Sequence, residues 1–192
     1  MSASVVSLGM ELRCALPADY NGILDLSAAY QAQNLAPSER SRGFLSARFS
    51  LDQIAAMAED LGIIVASDQG RVAGFLCASR FDWGETPPII RTMSAVFGQV
   101  IFNGQPLSAQ RKFLYGPVCI DLPFRGQGLL RGLFLRLNQA LADGFEVGVV
   151  FVAVDNPHSL EAHTKGLGME AVGEFTHAGL RYHILAYRPT HR

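Results

Sequence analysis

The chain has 192 residues, of which 49% are hydrophobic and 17% are charged, and its formal net charge is −1. This composition is typical of a globular protein and argues against a disordered chain. A charge so close to zero provides no general attraction to nucleic acid or to a membrane surface, and we expect neither as a partner. The length favours a single domain over residues 1–192.

The cysteines indicate a reducing environment. Cys14, Cys77 and Cys119 are odd in number and far apart, which fits neither a disulfide framework nor a metal site. No segment has the pattern of a signal peptide, and the longest apolar run, residues 147–154, is too short to cross a bilayer. The sequence therefore predicts a soluble cytoplasmic protein without a bound metal.

The first half of the chain predicts a strand, two helices and a β-hairpin. Pro17 opens the first helix, and Ser50 can cap the second, whose apolar residues recur at helical spacing. A polar connection at residues 35–44 separates them. The hairpin turns at "DQGR", a turn-forming set of residues between two β-rich runs. In chain order these elements cover residues 10–16, 17–33, 51–62, 63–68 and 72–81.

The second half predicts a strand, a helix, a strand, a helix and a closing hairpin. It follows an insert at residues 82–112, which is too long for a hairpin loop and in which Pro87 and Pro88 open a short helix. The first of the later helices has one apolar stripe, and the strand after it is apolar on both faces. These elements cover residues 113–120, 127–143, 147–154, 157–165 and 171–187.

This order predicts an α/β fold with a mixed sheet. The strand–helix–strand unit over residues 113–154 predicts a right-handed parallel crossover, whereas the first half of the chain is antiparallel. Pro117 cannot donate to a strand ladder. It is therefore a plausible cause of a splay between the two parallel strands.

A glycine-rich turn, "RGQG" at residues 125–128, lies between the strand and the helix of that unit. The first amides of a helix have no internal partner and carry the positive end of its dipole, so they bind phosphate groups readily. Ligands of open α/β sheets bind at this end of the strands. We therefore expect the amides of residues 126–129 to bind a pyrophosphate.

Two other interpretations of this turn stay open. "GQGLLRG" is also a variant of a dinucleotide-binding motif, with Asp155 in the place of the ribose-binding acid. Pro123 and its neighbours put five residues between the strand and Gly126, which counts against that interpretation. A purely structural glycine turn is the second alternative, although two glycines in the first turn of a helix are otherwise unfavourable.

The turn carries the first of two resemblances to a known family. "RGQGLL" (125–130) resembles the acetyl-CoA signature [Q/R]-x-x-G-x-[G/A] of the GNAT superfamily of N-acetyltransferases. Arg125 and Gly128 occupy its two firm positions. Leu130 departs from the third, where a small residue is usual.

The second resemblance lies farther along the chain. "DNPHSLEAHTKGLGMEAVGEF" (155–175) is similar to the family pattern N-x-x-[A/S]-x-x-x-[Y/H] that precedes a Gly–aromatic pair and a Val-Gly strand. Asn156, Ser159 and His163 match in register, and Met169 stands where Phe is usual. The two motifs occur in the right order, and the order of elements agrees over residues 10–187.

The resemblance implies a GNAT-like fold, β-α-α-β-β-β-α-β-α-β-β, with a splayed central strand pair. It also implies transfer of an acetyl group from acetyl-CoA to a small-molecule or peptide amine, by direct attack while both substrates are bound. The pantetheine amides of the cofactor would pair with the main chain of residues 113–120. Whether the protein forms a homodimer stays open. The residues expected to bind coenzyme A are Val118, Cys119, Ile120, Arg125, Gly126, Gln127, Gly128, Leu129, Leu130, Asn156 and Ser159.

The catalytic candidates are His163 and Tyr115. His163 stands where many family members have a tyrosine that protonates the coenzyme A thiolate, and a histidine with an ordinary pKa near ~6.5 is able to do so. Tyr115 either contacts the acceptor or relays its proton, or else it packs in the core. Cys119 has no evident His or Asp partner and is expected to behave as a small buried hydrophobe. The insert at residues 82–112 could form part of the acceptor site. Three aromatic residues in or near it, Phe81, Trp83 and Phe97, either line an acceptor pocket, which we favour, or cover the sheet.

A catalytically idle acyl-CoA-binding module is the competing functional hypothesis, because function depends on the site rather than on the fold. The leucine at position 130 and the lack of an obvious glutamate in residues 113–120 favour it. The sequence does not name the acceptor.

Overall fold

The computed structural model describes residues 9–40, 42–45, 48–82 and 86–191. Its strands, in chain order, are β1 (Met10–Cys14), β2 (Ile63–Asp68), β3 (Arg71–Ser79), β4 (Ile101–Phe102), β5 (Gln105–Pro106), β6 (Lys112–Ile120), β7 (Val147–Ala153), β8 (Glu170–His177) and β9 (Leu180–Tyr187). Seven of them form one mixed sheet in the order β1-β2-β3-β6-β7-β9-β8, and β4 and β5 form a separate hairpin.

Within the residues described, six α-helices connect or cover these strands: α1 (Tyr20–Ala29), α2 (Pro37–Arg40), α3 (Leu51–Asp60), α4 (Pro88–Ala95), α5 (Leu129–Leu141) and α6 (Pro157–Glu161). Ser50 caps α3 as predicted, because its hydroxyl accepts a hydrogen bond from the Gln53 amide at 3.2 Å. A single π-helical turn, Ala162–Gly166, continues α6. The predicted succession of strands and helices is therefore confirmed.

The two central strands separate, as Pro117 led us to expect. β6 and β7 run parallel but pair only where Lys112–Leu114 lie beside Val147–Val149. Beyond Tyr115 the register of β6 against β3 is interrupted, at the point where Gly116 adopts a φ of +103° and Pro117 lacks an N–H donor. The mixed sheet and the splay are both confirmed, and the splay opens a cleft between residues 115–118 and residues 150–153.

Apolar side chains cover both faces of the sheet. On one face, α5 packs Leu133 and Leu137 against Phe113, Tyr115 and Leu185. On the other face, α1 and α3 cover β2 and β3, and α4 with the β4–β5 hairpin covers β7 and β9. The insert at residues 82–112 is therefore largely a structural layer, formed by one helix and one short hairpin.

Several predicted boundaries were wrong, each for a local reason. The helix predicted over residues 17–33 is α-helical only in α1, with short 3-10 helices at Pro17–Asp19 and Ala32–Asn34, since the chain turns at Tyr30 and Gln31 bridges to Leu45. The connection at residues 35–44 contains the short helix α2. The helix predicted from residue 127 begins at Leu129, because Gly128 adopts a φ of +81° that a right-handed helix does not allow.

Candidate active site

The cleft between β6 and β7 divides into two adjoining cavities. One, of about 260 Å³, lies against the glycine turn, and we call it the turn cavity. The other, of about 170 Å³, lies between the splayed strands and α4, and we call it the apolar cavity. The residues that line both cavities are Phe44, Leu45, Val118, Ser159 and His163.

The glycine turn presents free backbone to the turn cavity. Gly126 and Gly128 have φ angles of +74° and +81°, and a Cβ atom built on either would meet no atom within 4 Å. Within the described part of the chain, the amides of residues 126–131 donate no hydrogen bond. This first turn of α5 therefore has the open space and the unpaired N–H groups that a phosphate group needs.

Arg125 uses its side chain to hold neighbouring chain segments together. Its Nε donates to the Ile120 carbonyl at 2.8 Å, and its Nη1 donates to the Arg42 carbonyl. The guanidinium also lies 4.7 Å from the centre of the Tyr30 ring, a cation–π distance. The Arg125 side chain thus engages the main chain at Ile120 and Arg42 and the ring of Tyr30, contacts that position the loop at residues 42–45; its binding of coenzyme A stays a prediction.

The main chain of β6 offers hydrogen-bonding groups to the cleft. Asp121 donates its amide to the Ala73 carbonyl of β3, so the alternation of an antiparallel ladder turns the Cys119 amide and carbonyl towards β3 as well. The same alternation turns the amides and carbonyls of Val118 and Ile120 away from β3. β7 has already diverged at this level, which leaves these groups facing the cleft.

Seven of the eleven residues expected to bind coenzyme A line the turn cavity: Val118, Cys119, Ile120, Arg125, Gly126, Leu130 and Ser159. The other four lie beside it. Gln127 is exposed and donates to the Pro123 carbonyl at 2.9 Å, Gly128 caps α5, Leu129 is buried in the core, and Asn156 lines the apolar cavity.

Asn156 fixes the start of α6 and a neighbouring loop. Its side chain accepts a hydrogen bond from the Ser159 amide at 3.2 Å, which caps the helix. Its Nδ2 donates to the Phe44 carbonyl, also at 3.2 Å. Because Asn156 is buried and uses both ends of its amide in this way, it shapes the wall between the cavities.

His163 combines burial with a free nitrogen. Only 4% of the residue is exposed, and its Nδ1 lies 2.7 Å from the Ser159 carbonyl. A carbonyl only accepts hydrogen bonds, so Nδ1 carries the proton and Nε2 carries the lone pair. Nε2 is buried and has no partner among the described residues. An unpaired buried acceptor beside two cavities is a group available to a substrate.

The pKa of His163 is lowered from its ordinary value of 6.5, because burial disfavours the charged imidazolium more than the Ser159 hydrogen bond favours it. Neutral imidazole is therefore the resting form at neutral pH. This alters the role expected from the sequence, since a neutral histidine must first take up a proton before it can protonate a thiolate.

Tyr115 packs in the core below α5 and also lines the apolar cavity, so the roles that the sequence left open for it stay open. It is 1% exposed, burial raises the pKa of its phenol, and its hydroxyl has no partner among the described residues. Its ring packs edge-on against the His163 ring, with centroids 5.5 Å apart. The Tyr115 ring therefore helps to hold the imidazole in place.

Cys119 behaves as predicted. It is buried, packs with the residues beneath α1 and α3, and burial raises the pKa of its thiol to about 12. A protonated thiol is a poor nucleophile. We therefore give Cys119 no covalent role.

The aromatic residues in or near the insert divide between lining a pocket and covering the sheet. Phe81 lines the apolar cavity. Phe97 is buried on the sheet and packs edge-on against Phe81, with centroids 5.3 Å apart. Trp83 lies outside the described residues.

Sequence reasoning missed the loop at residues 42–45. Phe44 and Leu45 line both cavities, and Leu45 is tied to α1 through its amide, which donates to the Tyr30 carbonyl at 2.8 Å. The only local signal was an aromatic residue at the end of a polar connection. Its place in the site depends on contacts with residues more than 80 positions away, at Arg125 and Asn156.

Two further observations concern ligands and membranes. Across the described ranges, the histidine, cysteine and carboxylate side chains form no group able to hold a metal ion. None of the helices described is long and apolar enough to span a bilayer.

Comparison with known proteins identifies the fold. No protein-family model matches the chain, and no curated protein matches its sequence. Solved structures do match. An N-acetyltransferase of Staphylococcus aureus Mu50 has 18% identity and a TM-score of 0.60, with 95% of this chain and 99% of that chain covered.

Two other solved structures are similar over nearly their whole length. The yncA protein of Salmonella typhimurium, solved with its cofactor acetyl-CoA, has 19% identity and a TM-score of 0.61, with 96% of each chain covered. The ribosomal-protein-S18-alanine N-acetyltransferase of Escherichia coli has 13% identity and a TM-score of 0.60, with 94% of each chain covered. The chain therefore has the fold of the GNAT superfamily of N-acetyltransferases, as its two sequence motifs predicted.

Proposed function

We propose that the protein is an acetyl-CoA-dependent N-acetyltransferase, in which an amine attacks the thioester directly while both substrates are bound. The observation that carries this proposal is the buried, unpartnered Nε2 of His163, on the wall shared by the two cavities. Three solved proteins with this fold support it, because two are named N-acetyltransferases and the third was solved with acetyl-CoA.

The turn cavity suits coenzyme A. The amides of residues 126–130 would bind the pyrophosphate, where the helix dipole favours negative charge. The main-chain groups of Val118 and Ile120 would pair with the amides of the pantetheine arm, as an added strand pairs with an exposed edge. When bound in this way, acetyl-CoA supplies an activated acetyl group near the wall shared with the apolar cavity.

His163 would accept and donate the transferred proton. An amine attacks only when its nitrogen lone pair is free, so an ammonium must first lose a proton. The neutral Nε2 would accept that proton, while the Ser159 carbonyl holds Nδ1–H and fixes the ring. The imidazolium so formed would then donate that proton to the departing thiolate, and the second proton, which the nitrogen loses as it becomes an amide, would pass to solvent. One histidine would thus serve as base and afterwards as acid.

Val118 is the candidate donor for the charge that develops on the thioester oxygen. Its amide faces the cleft just after the irregularity at Gly116 and Pro117, and Val118 lines both cavities. A preorganised backbone N–H is a typical stabiliser of such an oxyanion. This role needs main chain only, so the side chain at this position contributes shape.

The competing hypothesis of an idle acyl-CoA-binding module is less well supported. Such a module needs a binding site for acyl-CoA and no site for an acceptor. It gives no reason for a second cavity beside the thioester, nor for an unpaired imidazole nitrogen, which costs stability when it is buried without a partner.

The test combines binding with turnover. Acetyl-CoA at about 100 times its Kd stabilises the native state by about 2.7 kcal/mol, which is a rise in Tm of roughly 5–10 °C for a protein of this size. NAD and ATP should have much smaller effects. Incubation with acetyl-CoA and a panel of amines should then yield an N-acetylated product by mass spectrometry. Binding without transfer to any amine would instead support the idle module.

A further inference from the structure

We propose that the apolar cavity selects a compact hydrophobic primary amine, alkyl or arylalkyl, that carries no second charged group. This proposal rests on the proposed function, because it assigns the cavity to the acceptor. It narrows the acceptor class, since it disfavours polyamines, aminoglycosides, lysine side chains and free amino acids.

The lining of the cavity is the first argument. Phenylalanine side chains at four separate places in the chain converge on it, together with aliphatic side chains from α4 and from the splayed strands. The principal apolar residues are Phe44, Phe49, Phe81, Ile89, Ile90, Leu114, Phe151 and Val152. Such a surface gains free energy by burying the apolar body of a ligand.

The charges are the second argument. Among the described residues that line the cavity, Arg80 is the only charged side chain. Its guanidinium is paired with Asp60, and its amide donates to the same carboxylate at 2.6 Å. A second ammonium on the acceptor would find no carboxylate among these residues, and an acceptor carboxylate would find no unpaired cation. Burying either charge without a partner is costly.

The polar groups of the cavity are the third argument, because most are already satisfied. Thr86 donates its hydroxyl to the Phe81 carbonyl at 3.1 Å, and Asn156 uses its amide on Phe44 and Ser159. Within the described residues, the buried polar atoms of this lining that lack a partner are Nε2 of His163 and the hydroxyl of Tyr115, and Nε2 is the basic one, able to accept a proton from an ammonium. One nitrogen on the ligand, near His163, therefore matches the polarity of the cavity.

The volume sets the size of the ligand. A dry apolar cavity of about 150 Å³ in another protein binds benzene, and the present cavity measures about 170 Å³. A single ring or a short alkyl chain fits this space. A disaccharide, or a peptide with several polar side chains, is too large and too polar for this cavity.

Matched amines provide the test. With acetyl-CoA as donor, initial rates of thiol release give kcat/KM for hexylamine against hexamethylenediamine, which differ by one ammonium. Phenethylamine against phenylalanine adds one carboxylate in the same way. We expect the singly charged amine of each pair to be preferred by ~10²-fold, as expected when a site leaves a buried charge unpaired.

A variant moves the specificity in a defined direction. Ile89→Glu places a carboxylate from α4 in the lining and should shift the preference towards hexamethylenediamine by ~10-fold or more. Ala95→Glu, which adds the same charge to an exposed position of α4 outside the lining, is the control and should leave the ratio unchanged. Thr86→Glu repeats the test at another half-buried lining residue if Ile89→Glu does not fold.

Three results would overturn the inference. The first is an equal or better rate with the diamine and with phenylalanine. The second is a ratio that responds equally to Ile89→Glu and to Ala95→Glu. The third is a preference for octanoyl-CoA over acetyl-CoA together with indifference to the amine, which would assign the cavity to the acyl chain. Failure to acetylate any amine, hydrophobic or polar, would count against the proposed function itself.

Discussion

Replacing Gly128 by valine tests the phosphate site at the start of α5. Gly128 has a φ of +81°, and its Cβ direction faces open space. A β-branched side chain there is strained and would project into the region where phosphate would meet the backbone. We expect Gly128→Val to lose at least one charge-assisted hydrogen bond to phosphate, worth about 1.5–3 kcal/mol. This corresponds to a ~10- to 150-fold weaker Kd for coenzyme A.

Gly104 provides a matched control for that substitution. It adopts a φ of +78°, its Cβ direction is also open, and it lies in the β4–β5 turn outside the lining of both cavities. Backbone strain should therefore lower the free energy of unfolding of both valine variants by about 1–2 kcal/mol, and their Tm values should fall by comparable amounts. Calorimetric titration with coenzyme A separates them. Equal affinity in the two folded variants would show that the turn does not bind the phosphate.

The remaining predictions concern the residues around the cleft. Arg125→Met removes the link from the turn to residues 42–45 and should raise both the Kd of coenzyme A and the KM of the amine; an unchanged amine KM would refute its positioning role. Tyr115→Phe removes a buried, unpaired hydroxyl, so it should keep kcat and leave Tm equal or higher, whereas a tenfold loss of kcat would make the hydroxyl catalytic. His163 has a lowered pKa, so the unfolded state binds its proton more readily, and the wild type should lose stability relative to His163→Gln as the pH falls below 6.5. Denaturant unfolding at several pH values measures this difference, and parallel curves for the two proteins would contradict the pKa shift.

The local chemistry of the turn was readable from the sequence. Gly126 and Gly128 indicated a turn with accessible backbone at a helix start, and Pro117 indicated the splay of the central strands because it lacks a donor. Both features are properties of one or two residues and their nearest neighbours. The register of Asn156, Ser159 and His163 likewise follows from helical spacing, which brings the Ser159 carbonyl to His163 Nδ1.

The parts that sequence reasoning missed depend on distant contacts. Phe44 enters the site because its carbonyl binds Asn156, a residue 112 positions away. The direction of the His163 pKa shift depends on burial that no short motif specifies. The contacts of the Arg125 side chain with Tyr30 and Arg42 were equally unpredictable, because they join residues that are distant along the chain. Each of these is a consequence of tertiary packing.

The rate of acetyl transfer by His163→Gln measures the central claim most directly. With phenethylamine and acetyl-CoA as substrates, quantification of the acetylated product by mass spectrometry gives kcat, and calorimetry gives the Kd of coenzyme A for the same preparations. Loss of the base that the cleft provides should lower kcat by ~10²–10⁴-fold with little change in Kd, the pattern of an interaction made only in the transition state. A variant that acetylates the amine at the wild-type rate would contradict the assignment of His163 as the group that takes the proton.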